Sequence, residues 1–326
     1  MVFSATSLTI RGKFVAKQKA LLDTISTQGT GTSPAFARHE TFHPRYGWLK
    51  KGFDAVKRDP HVFLRDDAPV VLGVGKNMVR SIRYWCEAFK LNTYEDKPDE
   101  FGKRLLEKWD SYLEDPASLW VLHWNLLKPP CIATAWWVIF NDFRKIEFTS
   151  DDLVDALKNY CAGLSRNVAE SSLRKDVTCI LRMYTSQPQK SRPTEDTLDC
   201  PFAELGLIQS VEDSKHYIFR TGSKNSLPAE VVVFACLDSL GIETEEVEKD
   251  QGTISIARLL YEPNSPGMAF KLSESTLCEA IETVARLNSS IQLSDSAGLL
   301  QLSFKASPSM LADSILDGYY QNRSII

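Results

Sequence analysis

Residues 67–85 read DAPVVLGVGKNMVRSIRYW, and this stretch decides the fold class. A short helix from Ala68, a Leu72-Gly73-Val74 turn and a second helix with an apolar residue five positions after Val74 reproduce a helix-turn-helix layout. In the second helix Met78, Val79, Ile82, Trp85, Cys86 and Phe89 form an apolar stripe of period 3.6, and Lys90-Leu91-Asn92 stops it. Opposite that stripe Lys76, Arg80 and Arg83 stand at i, i+4 and i+7, with Asn77 and Tyr84 beside them. Cations so spaced can bind phosphates, while Arg and Asn can reach base edges. The competing expectation is a solvated helix face in an all-helical domain.

Upstream, Arg45 to Arg58 (RYGWLKKGFDAVKR) sets Trp48, Leu49, Phe53 and Val56 at near-helical spacing until Asp59-Pro60 breaks the run. Arg45, Lys50 and Lys51 of this basic amphipathic segment join the expected DNA-binding set. The chain carries a formal charge of −4, unevenly spread. Residues 36–92 hold 11 Lys and Arg against 6 Asp and Glu, whereas everything after Asn92 sums to −12. A polyanion contact is therefore expected in the N-terminal third, and the acidic remainder should repel a phosphate backbone.

With 326 residues, 43% of them hydrophobic and 25% charged, the chain has ordinary globular composition. The N-terminus lacks the apolar core of a signal peptide, and no apolar run reaches the ~18 residues that span a bilayer, so a cytoplasmic protein without membrane contact is expected. Seven scattered cysteines with no C-x-x-C pair read as reduced, buried hydrophobes.

Further along, Trp120, Trp124, Trp136 and Trp137 flank Pro129-Pro130, which predicts two buried helices meeting at a proline corner. Thr149 or Ser150 caps a helix holding Leu153, Leu157 and Tyr160, and the next carries Leu173, Val177, Ile180 and Leu181. The proline-rich, aperiodic stretch 185–201 reads as a linker. Beyond it come a short strand from Tyr217 to Arg220, a buried helix from Pro228 to Leu240, a short helix from Ile254 to Tyr261, a longer one from Leu272 to Leu287, and a hairpin around the turn Asp295 to Gly298. Helix, helix, hairpin is the order of a winged-helix unit. Lys305 is its only nearby cation, which favours a structural or protein-binding wing.

Two motif matches fail on their context. Leu72 to Asn77 looks like half of a P-loop, but Val70 stands where the first glycine belongs and Asn77 replaces the magnesium-binding hydroxyl. His39-Glu40-Thr41-Phe42-His43 spells H-E-x-x-H, whose zinc chemistry needs both imidazoles on one helical face. Pro44 directly after His43 disfavours that helix. No catalytic set and no cofactor site is visible, and acids such as Asp151-Asp152 suit a helix N-terminus.

The blocks HETFHPRYGWLKKGFDAV and DDAPVVLGVGKNMVRSIRYWCEAF resemble a bacterial family of unknown function often encoded beside DNA phosphorothioation genes, including a cysteine desulfurase and a sulfotransfer enzyme. FTSDDL, DCPFAELGLI and IQLSDSAGLLQLSF extend the likeness over most of the chain. The resemblance implies a part in DNA sulfur modification or associated defence, and proteins of that system as partners. It supplies no catalytic residue.

The sequence thus predicts a mainly α protein: a helical domain over 1–184 with a helix-turn-helix at about 66–91, a linker at 185–201, and a winged-helix-like domain of α-helices plus a small β-hairpin over 202–326. Its expected role is a non-enzymatic DNA-binding or targeting component, with transcriptional regulation of the same gene cluster as a close variant, DNA and protein as partners and no small-molecule substrate. The alternatives are a scaffold for the sulfur-transfer enzymes that never touches DNA, and a metal-dependent nuclease or hydrolase using His39, Glu40 and His43.

Overall fold

The computed structural model describes residues 30–186, 200–211, 215–243 and 251–323. Helices α1 (Trp48–Arg58), α2 (Ala68–Leu72) and α3 (Lys76–Ala88) come first, followed by α4 (Glu100–Lys103, continuing as a π-helical turn, Arg104–Trp109) and α5 (Pro116–Leu127). Next are α6 (Thr134–Trp137, continuing as a π-helical turn, Val138–Asp142), strand β1 (Glu147–Thr149), α7 (Ser150–Gly163), α8 (Glu170–Tyr184), β2 (Ile208–Ser210), β3 (His216–Phe219) and α9 (Ala229–Glu243). The chain ends with β4 (Gly252–Ser255), α10 (Ile256–Tyr261), α11 (Pro266–Phe270), α12 (Glu274–Ala285), β5 (Ile291–Ser296), β6 (Leu299–Phe304) and α13 (Pro308–Arg323). The fold is mainly helical, with two antiparallel three-stranded sheets of order β1-β3-β2 and β4-β6-β5.

Local chemistry explains the element ends. At the close of α2, Gly73 takes φ +64°, and the N–H groups of Gly73 and Val74 donate to the carbonyls of Val70 and Pro69 at 3.3 and 3.1 Å. That left-handed cap turns the chain directly into α3. Thr149 caps α7 as its sequence predicts: its Oγ1 accepts from the Asp152 N–H at 3.2 Å, and the Asp152 carboxylate accepts from the Thr149 N–H at 2.8 Å. The hairpin turn holds Ala297 and Gly298 at positive φ, and β6 pairs with β4 as well as β5. The expectation of a helix from Ile254 is corrected here: Gly252–Ser255 is an edge strand, and the Ser255 hydroxyl caps the helix that follows.

The core is built on tryptophan. Trp85, Trp120, Trp124 and Trp136 are at most 1% exposed. A buried indole needs a partner for its N–H. Trp120 donates to Ser226, Trp124 to Asp238, Trp137 to Asn264 and Trp109 to Asp317, at 2.6–3.2 Å. These bonds tie the first half of the chain to the second, and one buried cluster holds residues from Trp48 to Tyr320. A second, small cluster of Ala55, Val56, Val62, Ala68, Leu72 and Val79 lies beneath α1, α2 and α3. Most of the expected linker, residues 187–199, falls outside the described residues.

Two features of the interior give testable outcomes. A Cβ on Gly102 would lie 2.2 Å from the Leu91 carbonyl oxygen. Gly102→Ala must push α4 off that backbone, and we expect a loss of about 1–3 kcal/mol in urea denaturation. Lys271, at the end of α11, is 9% exposed, and burial with some help from Arg144 and Lys224 lowers it from 10.5 to about 7. Between those two values the folded chain binds fewer protons at this site than the unfolded chain, so its stability contribution rises with pH across the window. Denaturation midpoints at the two ends should show that rise in the wild type and a smaller one in Lys271→Met.

Candidate nucleic-acid interface

A cleft of about 890 Å³ opens between the turn at residues 37–40, the segment 63–69 and the polar face of α3. The period of α3 sets one wall, because its apolar stripe is buried and Lys76, Arg80, Arg83 and Glu87 turn outward together. The structure therefore brings Lys76, Arg80 and Arg83 to one surface. Arg38 and Arg65 face them, giving five cations against the carboxylates Glu40, Asp66 and Glu87. Burial holds the Glu87 carboxyl above the usual carboxylate range. Leu64 and Tyr94, at 64% and 76% exposed, add apolar surface to the lining.

The cations differ in how far they are committed. Arg83 is clamped by Asp96 through two contacts of 2.8 and 2.9 Å, and Arg65 pairs with Asp59 and Asp67. Arg80 approaches Glu40 at 3.5 Å. Lys76 and Arg38 have no ion pair among the described residues. Gly75, which precedes α3, has no side chain to cap it, so the N–H groups of the first turn beside Lys76 remain open.

A buried pair fixes the turn that carries Arg38 and Glu40. Asp176 from α8 is 2% exposed and accepts from the Ala37 N–H at 3.0 and 3.1 Å and from His39 Nε2 at 2.8 Å. Burial pushes the Asp176 carboxyl up, and His39 opposes that shift. Trp85 adds a bond from its indole N–H to the Phe42 carbonyl at 3.0 Å. Ala37, Glu40 and Thr41 take positive φ, so this is a turn held by tertiary bonds.

That geometry overturns the H-E-x-x-H alternative. His39, Glu40 and His43 do not share a helical face, and His39 is fully buried against Asp176. Among the described residues no group of three or more His, Cys, Asp or Glu side chains is placed to hold a metal. Tyr84, expected beside Asn77 as a base reader, lines the cleft but is only 7% exposed and packs on Trp85 and His39. Asn77 is exposed but outside the cleft lining. Arg45 stacks over Trp48 and Phe42, Lys50 pairs with Asp54, and Lys51 donates to the Leu72 carbonyl; none of the three lines the cleft. Arg38 and Arg65, conversely, line it without having been singled out in the sequence. Only their place in the basic segment 36–92 signalled them.

Fold and site together define a mainly helical protein with a cation-lined cleft braced by a buried His–Asp pair. The chain belongs to the DUF4007 family of proteins of unknown function, whose pattern matches residues 36–320. It is similar to a magnesium-bound crystal structure of SspB, with 41% identity over 88% of each chain and a TM-score of 0.81. A second SspB crystal structure matches at 41% identity over 88% of each chain, with a TM-score of 0.80. No curated protein matches the chain. No helix among the described residues is long and apolar enough to cross a membrane.

Proposed function

We propose that this chain is a DNA-binding component of a bacterial DNA phosphorothioation or associated defence system, and that the α3 cleft receives the phosphate backbone. The observation that carries the reading is the gathering of five cations in one cleft of about 890 Å³. Ala68–Leu72 and Lys76–Ala88 serve as the helix-turn-helix, with α3 as the docking helix. The resemblance of the two N-terminal blocks supplies the sulfur-modification setting. The unit from β4 to β6 follows a winged-helix order and, in an acidic region, suits protein contact. A gel shift with duplex and single-stranded DNA tests the proposal. Binding at low salt supports it; no shift, with retained binding to sulfur-transfer enzymes, supports the scaffold.

A second reading, magnesium-dependent phosphodiester hydrolysis in the same cleft, is favoured by the magnesium ion in one SspB structure. Magnesium is commonly held by one or two carboxylates with phosphate oxygens and water, and this reading assigns that role to Glu40 and Glu87, two carboxylates of the cleft lining. Supercoiled plasmid incubated with the protein and magnesium should then be nicked, and Glu40→Gln and Glu87→Gln should abolish nicking. An intact plasmid refutes this reading and leaves the binding proposal standing.

A further inference from the structure

A second group of cations lies away from the cleft, where β3 ends and α11 meets α12. Lys271 sends its Nζ to the Phe140 carbonyl at 2.7 Å, and its ammonium lies over the Phe219 ring at 4.4 Å and the Phe140 ring at 5.3 Å. Lys224 donates to the carbonyls of Gly222 and Lys271, both at 2.9 Å. Each lysine is only 9% exposed. Arg144 and Arg220 are exposed nearby; Arg144 donates to the Met268 sulfur at 2.9 Å. Among the described residues none of these four cations pairs with a carboxylate.

The arrangement is costly as it stands. An ammonium withdrawn from water normally acquires an anionic partner, and here carbonyls, rings and other cations take that place. Burial and the neighbouring cations lower Lys271 to about 7 and Lys224 to about 8. Gly222, at φ +97°, donates its N–H to the Lys271 carbonyl, so the turn 220–224 is locked onto the end of α11. The same turn comes near Ser273, whose hydroxyl caps the 12-residue helix α12, and a Cβ on Gly222 would lie 3.9 Å from that hydroxyl. Arg144 and Lys224 thus act electrostatically on Lys271, and Arg220 on Lys224, beside a fixed turn and a helix start, and among the described residues no carboxylate pairs with any of the four.

We propose that Arg144, Arg220, Lys224 and Lys271 form a phosphate-binding site, distinct from the α3 cleft, in which a bound phosphate group supplies the missing counter-charge. The group is carried either by a small molecule such as a nucleotide or by a nucleic-acid backbone. Its multiple acceptor oxygens match the paired guanidinium and ammonium donors. The inference stands independently of the α3 cleft and survives if that cleft binds nothing.

Thermal denaturation of the full chain with added pyrophosphate, at ionic strength fixed with sodium chloride, tests it. The wild type should gain thermal stability in a saturable manner. Arg144→Ala/Arg220→Ala, whose side chains are exposed and whose loss spares the fold, should weaken the apparent affinity about tenfold or more. Lys271→Met, checked for native circular dichroism, should lose the response, and the dependence on Arg144 and Arg220 should persist in a Lys76→Ala/Arg80→Ala background, from which phosphate contacts of the α3 cleft have been removed. A single-stranded oligonucleotide that competes with pyrophosphate identifies a backbone phosphate as the source, and one that does not identifies the free small molecule. No stabilisation of the wild type, an equal response in the Arg144/Arg220 variant, or loss only in the Lys76/Arg80 variant overturns the proposal.

Discussion

Asp176→Ala is expected to cost about 3–5 kcal/mol of folding stability, the range for removing one partner of a buried charged pair. The carboxylate is 2% exposed, and its three contacts converge on Ala37 and His39, 139 and 137 residues away in the chain. Alanine leaves the part-buried Ala37 N–H and the fully buried His39 imidazole without their acceptor. His39 Nδ1 already lacks a partner among the described residues, so the ring has no second bond to fall back on. Urea denaturation reads the loss directly. Asp176→Asn, which keeps an acceptor oxygen, should recover part of it. A cost below about 1 kcal/mol, typical of a surface pair, would mean that the pair does not brace the turn. Because that turn carries Arg38 and Glu40, any folded fraction of the alanine variant should also bind DNA more weakly.

Lys76→Ala/Arg80→Ala should leave stability nearly unchanged and strongly weaken DNA binding. Among the described residues Lys76, which is exposed, makes no ion pair, and Arg80, 57% exposed, makes only the 3.5 Å approach to Glu40. If both meet phosphates, the slope of log affinity against log salt becomes shallower by about two units, close to one per charge removed. Arg83→Ala is a less clean probe. It strips the partner from Asp96, which is 8% exposed, and so perturbs folding as well as binding. Far-ultraviolet circular dichroism separates the two effects.

The α3 wall was legible because a single helix encodes it: the apolar stripe from Met78 to Phe89 fixes which residues point outward, and Lys76, Arg80 and Arg83 follow from spacing alone. Thr149 was legible for the same local reason. The opposite wall was not. Arg38 reaches the cleft because Asp176, far along the chain, fixes its turn, and no period in residues 36–43 announces that bond. H-E-x-x-H matched in letters while positive φ at Glu40 and Thr41 forbids the helix the motif requires. Tyr84 lies between the polar and apolar faces of α3, and neighbouring rings from His39 and Trp85 decide its burial. Strand β4 escaped detection because Gly252–Ser255 is four residues long and depends on pairing with β6. The four-cation group around Lys271 was hidden by separation, since Arg144, Arg220, Lys224 and Lys271 come from three distant segments.

The most direct test of the central claim is fluorescence anisotropy of labelled single-stranded and duplex DNA titrated with wild type and Lys76→Ala/Arg80→Ala at about 50 and 200 mM salt, where phosphate contacts change affinity steeply. The cleft assignment predicts wild-type binding at the lower salt, a marked loss at the higher, and in the variant both weaker binding and a shallower salt slope. Absence of wild-type binding at about 50 mM salt, or a variant indistinguishable from wild type, would contradict it.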